Sequence, residues 1–140
     1  MGFEENKIRV IAIAVIRKKN TILAARCFDS KKNEVFYRPL GGGVEFGEEP
    51  EDAVIREFKE ELGLDIKVSK LLKVSNNIFT FDGKKGHEVV FLFEAEFAYK
   101  DNYNKNSFEQ TVDNTTELKV EWCDLSSGSI IYPEKIREYL

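Results

Sequence analysis

The stretch from Gly42 to Leu64 reads GGVEFGEEPEDAVIREFKEELGL. It predicts an α-helix from about Pro50 to Leu62, because proline suits the first helical position and Gly63 favours a stop directly after the last one. The glycine run Gly41-Gly42-Gly43 before the helix predicts a break in regular structure. Acidic residues that complement the positive end of the helix dipole stand around the helix start: Glu48, Glu49, Glu51 and Asp52.

The predicted helix has two different faces. Apolar residues fall on one arc at about 100° per residue and predict a core-facing side: Val54, Ile55, Phe58 and Leu62. Glu57, Glu60 and Glu61 have the spacing i, i+3, i+4, so they share a neighbouring arc and repel one another. A divalent cation would remove this repulsion, and Mg²⁺ prefers such oxygen ligands. On its own, however, a charge run of this kind is more typical of a solvated helix face.

The wider spacing decides between these two interpretations. Gly42 is followed after five residues by Glu48 and after seven more by the segment from Arg56 to Leu64, REFKEELGL. This pattern resembles the Nudix box, G-x5-E-x7-R-E-U-x-E-E-x-G-U, in which U is a bulky apolar residue. Every specified position matches, and specified positions at fixed spacing make a strong motif.

The resemblance implies a fold, a cofactor and a set of site residues. The family's fold is an α/β/α sandwich around a mixed sheet, in which the box forms a loop, a helix and a second loop. Carried over to this chain, the resemblance implies metal ligands at Glu60 and Glu61 with Glu57 beside them. It also implies that Arg56 orients Glu48 through a charge-assisted bond, and that the backbone carbonyl of Gly41 reaches the metal.

Two positions near the box depart from the common family pattern. Leu40 stands where many members have a proline, which is displaced here to Pro39, so the path of the glycine loop differs from the usual one. Glu49 stands where many members have serine or threonine, so the helix lacks a hydroxyl cap. Neither change replaces a metal ligand.

Three residues outside the box are candidates for the reaction. In some family members a glutamate on a loop before a late, tryptophan-bearing strand is the general base or a further ligand. Glu117 lies five residues before Trp122, after the Asn-rich stretch 100–114, which is expected to be a loop. Arg26 and Arg38 flank the segment that leads into the box and are candidates for binding a substrate phosphate.

The rest of the chain predicts an α+β class. Strand-like stretches and one short terminal helix surround the central helix: strands in 8–17, 21–28, 35–37, 66–81, 88–99 and 117–123, and a helix in 133–140. With 140 residues, the chain is expected to form a single domain over residues 1–140.

The composition of the chain argues against some classes of binding partner and metal site. The formal net charge is −4, which disfavours duplex nucleic acid as a partner because such binding depends on clustered basic residues. His87 is the only histidine, and no Cys-x-x-Cys occurs, which argues against a zinc site. No secretory signal and no membrane-spanning run are recognised, so the expected location is cytoplasmic.

The favoured interpretation is a Mg²⁺-dependent hydrolase, with Mn²⁺ as a possible substitute. It would cleave a diphosphate linkage in a nucleoside diphosphate derivative or a nucleoside triphosphate by attack of a metal-activated water. One alternative is a catalytically silent Nudix-fold module with a nucleotide-binding or regulatory role, and another is diphosphate isomerisation. The substrate is left open, because the subfamily signatures downstream of the box are absent. A homodimer is compatible with the fold.

Overall fold

In the computed structural model, which describes residues 6–110 and 117–140, strands form most of the regular structure. The strands are β1 (Ile8–Lys18), β2 (Thr21–Asp29), β3 (Glu34–Arg38), β4 (Leu40–Gly43), β5 (Ile66–Phe81), β6 (Lys84–Phe97), β7 (Ser107–Phe108) and β8 (Glu117–Asp124). The helix α1 covers Pro50–Leu62, and two short 3₁₀ helices cover Lys100–Asn104 and Ile136–Tyr139. Within these described ranges, no helix has the length and apolar character that crossing a bilayer requires.

The strands form one mixed sheet in the order β5-β6-β1-β2-β8-β7. β3 adds to β2, and β4 adds to β1. The sheet is mixed because β1 runs parallel to β6 but antiparallel to β2 and β4. The predicted α+β class is therefore confirmed.

Strand β1 separates two apolar layers, because successive side chains of a strand point to opposite faces. Ala12, Ala14 and Ile16 face the layer that contains Val54 and Phe58 of α1. The intervening residues of β1 face the second layer together with residues from the C-terminal segment: Ile11, Ile13, Val15, Ile131 and Ile136. The sheet is thus covered on both faces, as in the predicted sandwich.

The outer layer on the second face is shorter than predicted. A helix was expected over 133–140, but only the 3₁₀ helix Ile136–Tyr139 forms there. Lys135 has a φ of 65°, in the left-handed region, and this conformation prevents a right-handed helix from starting earlier. Arg17 then holds the chain end by donating hydrogen bonds to the carbonyl oxygens of Tyr139 and Leu140, at 2.9 and 2.8 Å.

The glycine run was expected to break regular structure, and this expectation is wrong. Gly41, Gly42 and Gly43 continue from Leu40 as β4, which pairs with residues 11–14 of β1. The pairing is close enough that a Cβ atom added at Gly41 would overlap the carbonyl oxygen of Ala12. The glycines therefore allow a tight approach of two backbones instead of a turn.

The asparagine-rich stretch was also expected to be a loop, but part of it is ordered by aromatic contacts. The 3₁₀ helix Lys100–Asn104 carries Tyr103, whose ring centroid lies 4.7 Å from that of Phe97. The short strand β7 then pairs with β8. The positions 111–116 in this stretch lie outside the described residues.

Helix α1 has the predicted bounds, Pro50–Leu62. Gly63 follows with a φ of 66°, the left-handed conformation that favours glycine, and its N–H donates to the carbonyl oxygen of Lys59. Glu49 precedes the helix without a side-chain cap, as expected from the missing hydroxyl. Ala53, Val54, Phe58 and Leu62 are the buried residues of the helix.

We expect Phe58→Ala to lower the free energy of unfolding by about 3–5 kcal/mol, because the mid-helix ring is 1% exposed and its removal leaves a cavity. Chemical denaturation measures this change. Lys59→Ala is the matched control, since its side chain is 61% exposed and a surface ion pair with Asp65 contributes little. Equal stability of the two variants would show that the assignment of the two helix faces is wrong.

Candidate active site

The first feature of the site is the contact between β4 and α1. Gly42 faces the carboxylate of Glu57, and a Cβ atom at this position would lie 2.7 Å from both carboxylate oxygens. Such a separation is too short for real atoms, so only glycine lets Glu57 lie against the strand. Burial raises the pKa of Glu57 above its ordinary value, although the neighbouring Arg56 guanidinium partly opposes the effect.

Arg56 joins the helix to the loop before it. Its Nε and Nη2 donate to the two carboxylate oxygens of Glu48 at 2.9 and 3.0 Å, and Nη2 also donates to the carbonyl oxygen of Gly43 at 3.0 Å. The bond predicted between Arg56 and Glu48 is therefore present, and it is bidentate. Hydrogen bonding by Arg56 holds the pKa of Glu48 below its ordinary value.

The third nitrogen of the same guanidinium faces the acidic arc. Arg56 Nη1 donates to Glu57 Oε1 at 3.0 Å and to Glu60 Oε2 at 3.2 Å. Hydrogen bonding to Glu48 first, and then to Glu57, raises the pKa of Arg56 beyond its already high ordinary value, so the side chain stays charged. Arg56 thus offsets part of the repulsion between two of the clustered carboxylates.

The donor atoms on this arc fit a hard divalent cation. Glu57, Glu60 and Glu61 offer carboxylate oxygens from adjacent turns of α1, and Gly41 in the neighbouring strand offers a backbone carbonyl. Across residues 6–110 and 119–140, whose side chains the structure describes, however, no three acidic, histidine or cysteine side chains converge on one point as metal ligands do. Glu57 and Glu60 each accept a hydrogen bond from Arg56 through one carboxylate oxygen, so a bound cation would share these two carboxylates with the guanidinium.

The two candidate arginines lie on different faces of the sheet. Arg26 stands in β2 between Ala25 and Cys27, both of which pack in the layer under α1, so the side chain of Arg26 points to the opposite face. Arg38 ends β3 and is largely buried, with 12% of its side chain exposed. The structure therefore places Arg38, but not Arg26, on the side of the sheet that leads into the box.

Arg38 lines a cavity of about 330 Å³ that the sequence did not reveal. Aromatic residues Phe36, Phe81 and Tyr132 form part of its wall, and Glu88 of β6 lies beside Arg38. Glu88 is 2% exposed and had not been considered. A signal was present, since Glu88 starts the apolar run EVVFLF, where a carboxylate is out of place.

Asp29, a second buried acid, also lines this cavity. Burial alone would raise the pKa of Asp29, but backbone N–H groups of Asp82, Lys32 and Lys31 donate to its carboxylate and together lower it. These bonds join the β2–β3 turn to the β5–β6 hairpin. Asp29 is thus satisfied within the fold.

Glu117, the candidate base, is the first residue of β8 and pairs with Cys27 of β2. The positions just before it, 111–116, and the placement of its side chain lie outside what the structure describes. Trp122, which marked this strand in the sequence, donates its indole N–H to the carbonyl oxygen of Lys105 at 2.7 Å. The role of Glu117 stays a prediction.

Comparisons with known proteins agree with this geometry. A family model described as the NUDIX domain matches residues 6–136. An ADP-ribose pyrophosphatase of Methanocaldococcus jannaschii is 34% identical over 111 residues, which cover 68% of this chain and 64% of that protein. For two further curated relatives the matched segment covers 49% and 45% of their length, so this chain spans between about half and less than two thirds of all three.

Solved structures share the fold. A MutT NUDIX hydrolase from Burkholderia pseudomallei superposes with a TM-score of 0.56 at 26% identity, covering 91% of this chain and 90% of that one. A MutT protein from Methanosarcina mazei Go1 gives a TM-score of 0.58 at 19% identity, with coverage of 99% and 93%. With the box geometry and the match over residues 6–136, this chain belongs to the Nudix family.

Proposed function

We propose that the protein is a metal-dependent hydrolase of a diphosphate linkage in a nucleoside diphosphate derivative or a nucleoside triphosphate, with water as the nucleophile. The observation that carries the proposal is the complete box arrangement: Glu57 lies against Gly42, and Glu60 and Glu61 follow on the next turn of α1. The M. jannaschii relative is named a pyrophosphatase, which supports the same bond type.

The residues of the site have separate tasks in this proposal. Glu57, Glu60, Glu61 and the Gly41 carbonyl would hold Mg²⁺ or Mn²⁺. When bound, the ion supplies neutralisation of the diphosphate charge and a lower pKa for a coordinated water. Arg56 keeps the helix and loop in register through its bonds to Glu48 and to the Gly43 carbonyl. Arg38 is the better placed of the two arginines for contacting substrate.

The expected setting is a soluble small-molecule reaction in the cytoplasm, without duplex nucleic acid or membrane as partner. The two cysteines, Cys27 and Cys123, are buried thiols that form no disulfide within the described part of the chain, as in proteins of reducing compartments. A homodimer is the assembly that the edge strand β5 supports, since it exposes Leu71, Val74 and Ile78.

A panel of diphosphate compounds tests the proposal. ADP-ribose, nucleotide sugars, dinucleoside polyphosphates and the nucleoside triphosphates are incubated with the protein and Mg²⁺ or Mn²⁺, and released phosphate and pyrophosphate are measured. We expect turnover of at least one class. Binding of nucleotides without turnover of any of them, with either metal, would refute the proposal and favour a silent binding module.

For the general base we propose Glu117. Glu117→Gln is expected to lower kcat by about a hundredfold or more, with little change in KM or in the Mg²⁺ requirement, because a base acts mainly in the transition state. Glu121→Gln on the same strand is the control and should leave kcat unchanged. Wild-type kcat in Glu117→Gln would assign the role of base to a glutamate of the box.

A further inference from the structure

The carboxylate of Glu88 holds the one buried side-chain oxygen or nitrogen atom without a hydrogen-bond partner among the described residues. The residue is 2% exposed, and its Oε2 has no hydrogen-bond partner. Removing an ionised carboxylate from water is costly unless a partner compensates for the lost hydration. An unpaired buried oxygen at the edge of a cavity is therefore a candidate for binding a ligand.

Arg38 is the cation beside this carboxylate, but it does not satisfy it. Its Nη2 lies 3.9 Å from Glu88 Oε1, which is too far for a hydrogen bond. The two side chains nevertheless line the same cavity of about 330 Å³. A ligand entering this cavity meets a group that only accepts hydrogen bonds next to a group that only donates them.

The walls of the cavity suit a flat ring that has apolar faces. Phe36 packs edge-to-face against Phe81 and Tyr132, with ring centroids 5.9 and 5.1 Å apart, so these rings support one another. Tyr132 is fixed further by donating its hydroxyl hydrogen to Glu34 at 3.0 Å. The cavity volume lies in the range of small-molecule pockets, which combine apolar walls with few polar groups.

The cavity is also within reach of the box. Arg38 and Gly42 are four residues apart on an extended segment, which corresponds to roughly 13 Å at about 3.3 Å per residue. The sugar and phosphates of a nucleotide can bridge such a distance. Under the proposed function, a base in the cavity would direct its phosphates along this segment towards the box.

We propose that this cavity binds the base of the substrate, that the base is guanine, and that Glu88 determines this specificity. The inference rests on the proposed function, which makes the ligand a nucleotide. Guanine carries two adjacent donors, its N1–H and its exocyclic amino group, and these match the two oxygens of Glu88. The guanine carbonyl oxygen stands next to N1–H, where Arg38 donates to it. Adenine, cytosine and uracil lack a pair of adjacent donors on this edge.

Equilibrium binding without metal tests the proposal separately from catalysis. Isothermal titration calorimetry in EDTA measures Kd for GMP, IMP, AMP, CMP and UMP with the full chain. We expect the wild-type protein to bind GMP at least about tenfold more tightly than AMP, with IMP weaker than GMP because it lacks the amino group. Glu88→Gln should weaken GMP binding at least about tenfold and remove the preference over AMP.

Glu94→Gln is the matched control. Glu94 lies on the same strand and accepts a hydrogen bond from Arg17 at 2.6 Å, outside the cavity, so its replacement should leave all five Kd values unchanged. If Glu88→Gln does not fold, Glu88→Asp keeps the charge but withdraws the oxygens by one methylene. It should then weaken GMP binding more than AMP binding.

The proposal would be overturned if the wild-type protein bound all five nucleotides with equal affinity or preferred a base other than guanine. It would also be overturned if the preference for guanine persisted in both Glu88 variants. The outcome does not depend on turnover. A protein that binds GMP selectively through Glu88 but hydrolyses no diphosphate would refute the proposed function alone. Hydrolysis without base preference would refute only the assignment of guanine to this cavity.

Discussion

In excess EDTA, the protein is expected to release no phosphate or pyrophosphate from any diphosphate compound, and Mg²⁺ or Mn²⁺ added above the chelator should restore turnover. The reason is the donor set on α1, where Glu57, Glu60 and Glu61 present only hard oxygen ligands. Without a cation, these carboxylates would repel a diphosphate. Arg56 pairs with Glu57 and Glu60 and offsets only part of this negative charge.

A second readout makes this prediction independent of the choice of substrate. An ion that binds only the folded state raises the unfolding temperature as its concentration rises. We expect Mg²⁺ to raise the unfolding midpoint of the wild-type protein in a thermal melt. Full turnover in excess EDTA, or a midpoint that does not respond to Mg²⁺ or Mn²⁺, would contradict the assignment of a metal site.

The two glutamates on the last full turn of the helix are expected to have the largest mutational effects. Glu60→Gln and Glu61→Gln should each lower kcat on the order of a hundredfold or more, because each removes a charged ligand and weakens the electrostatic contribution of the ion. Fold stability should be retained, since Glu60 is 58% exposed and Glu61 is only partly buried. The dependence of the midpoint on Mg²⁺ should weaken in both variants.

Glu51→Gln provides the control on the same helix. Glu51 is exposed in the first turn of the helix, so its replacement by glutamine removes one negative charge without changing the carboxylates of the arc. Its kcat should equal that of the wild type. An active Glu61→Gln enzyme with an unchanged metal response would show that Glu61 is not a ligand.

Local chemistry explains why α1 could be predicted to the residue. Pro50 and Gly63 act through their own backbone preferences, and both signals lie next to the boundaries they determine. The bond between Arg56 and Glu48 was also predictable, because the two residues belong to one motif. The expected break at the glycine run was wrong, because β1 supplies the pairing partner of β4 and lies far away in the sequence.

The cavity could not be predicted from the sequence either, because its walls come from strands that lie far apart along the chain. Arg38 and Glu88 belong to strands β3 and β6, and only the folding of the sheet brings them together. Arg26 and Arg38 looked equivalent in the sequence, because strand alternation assigns faces only once the core side is known. Phe36 and its neighbour Cys27, both in the layer under α1, identify that side.

The position of Arg56 between Glu57 and Glu60 has a consequence for how the site is assembled. The guanidinium acts as a built-in counter-ion, so part of the carboxylate charge is offset by the protein itself. In the proposed metal site, an arriving cation would share these carboxylates with Arg56 and would not fill a bare acidic pocket. Such sharing would lower the net gain from binding, and it would keep the metal replaceable between rounds of turnover while the scaffold stays intact.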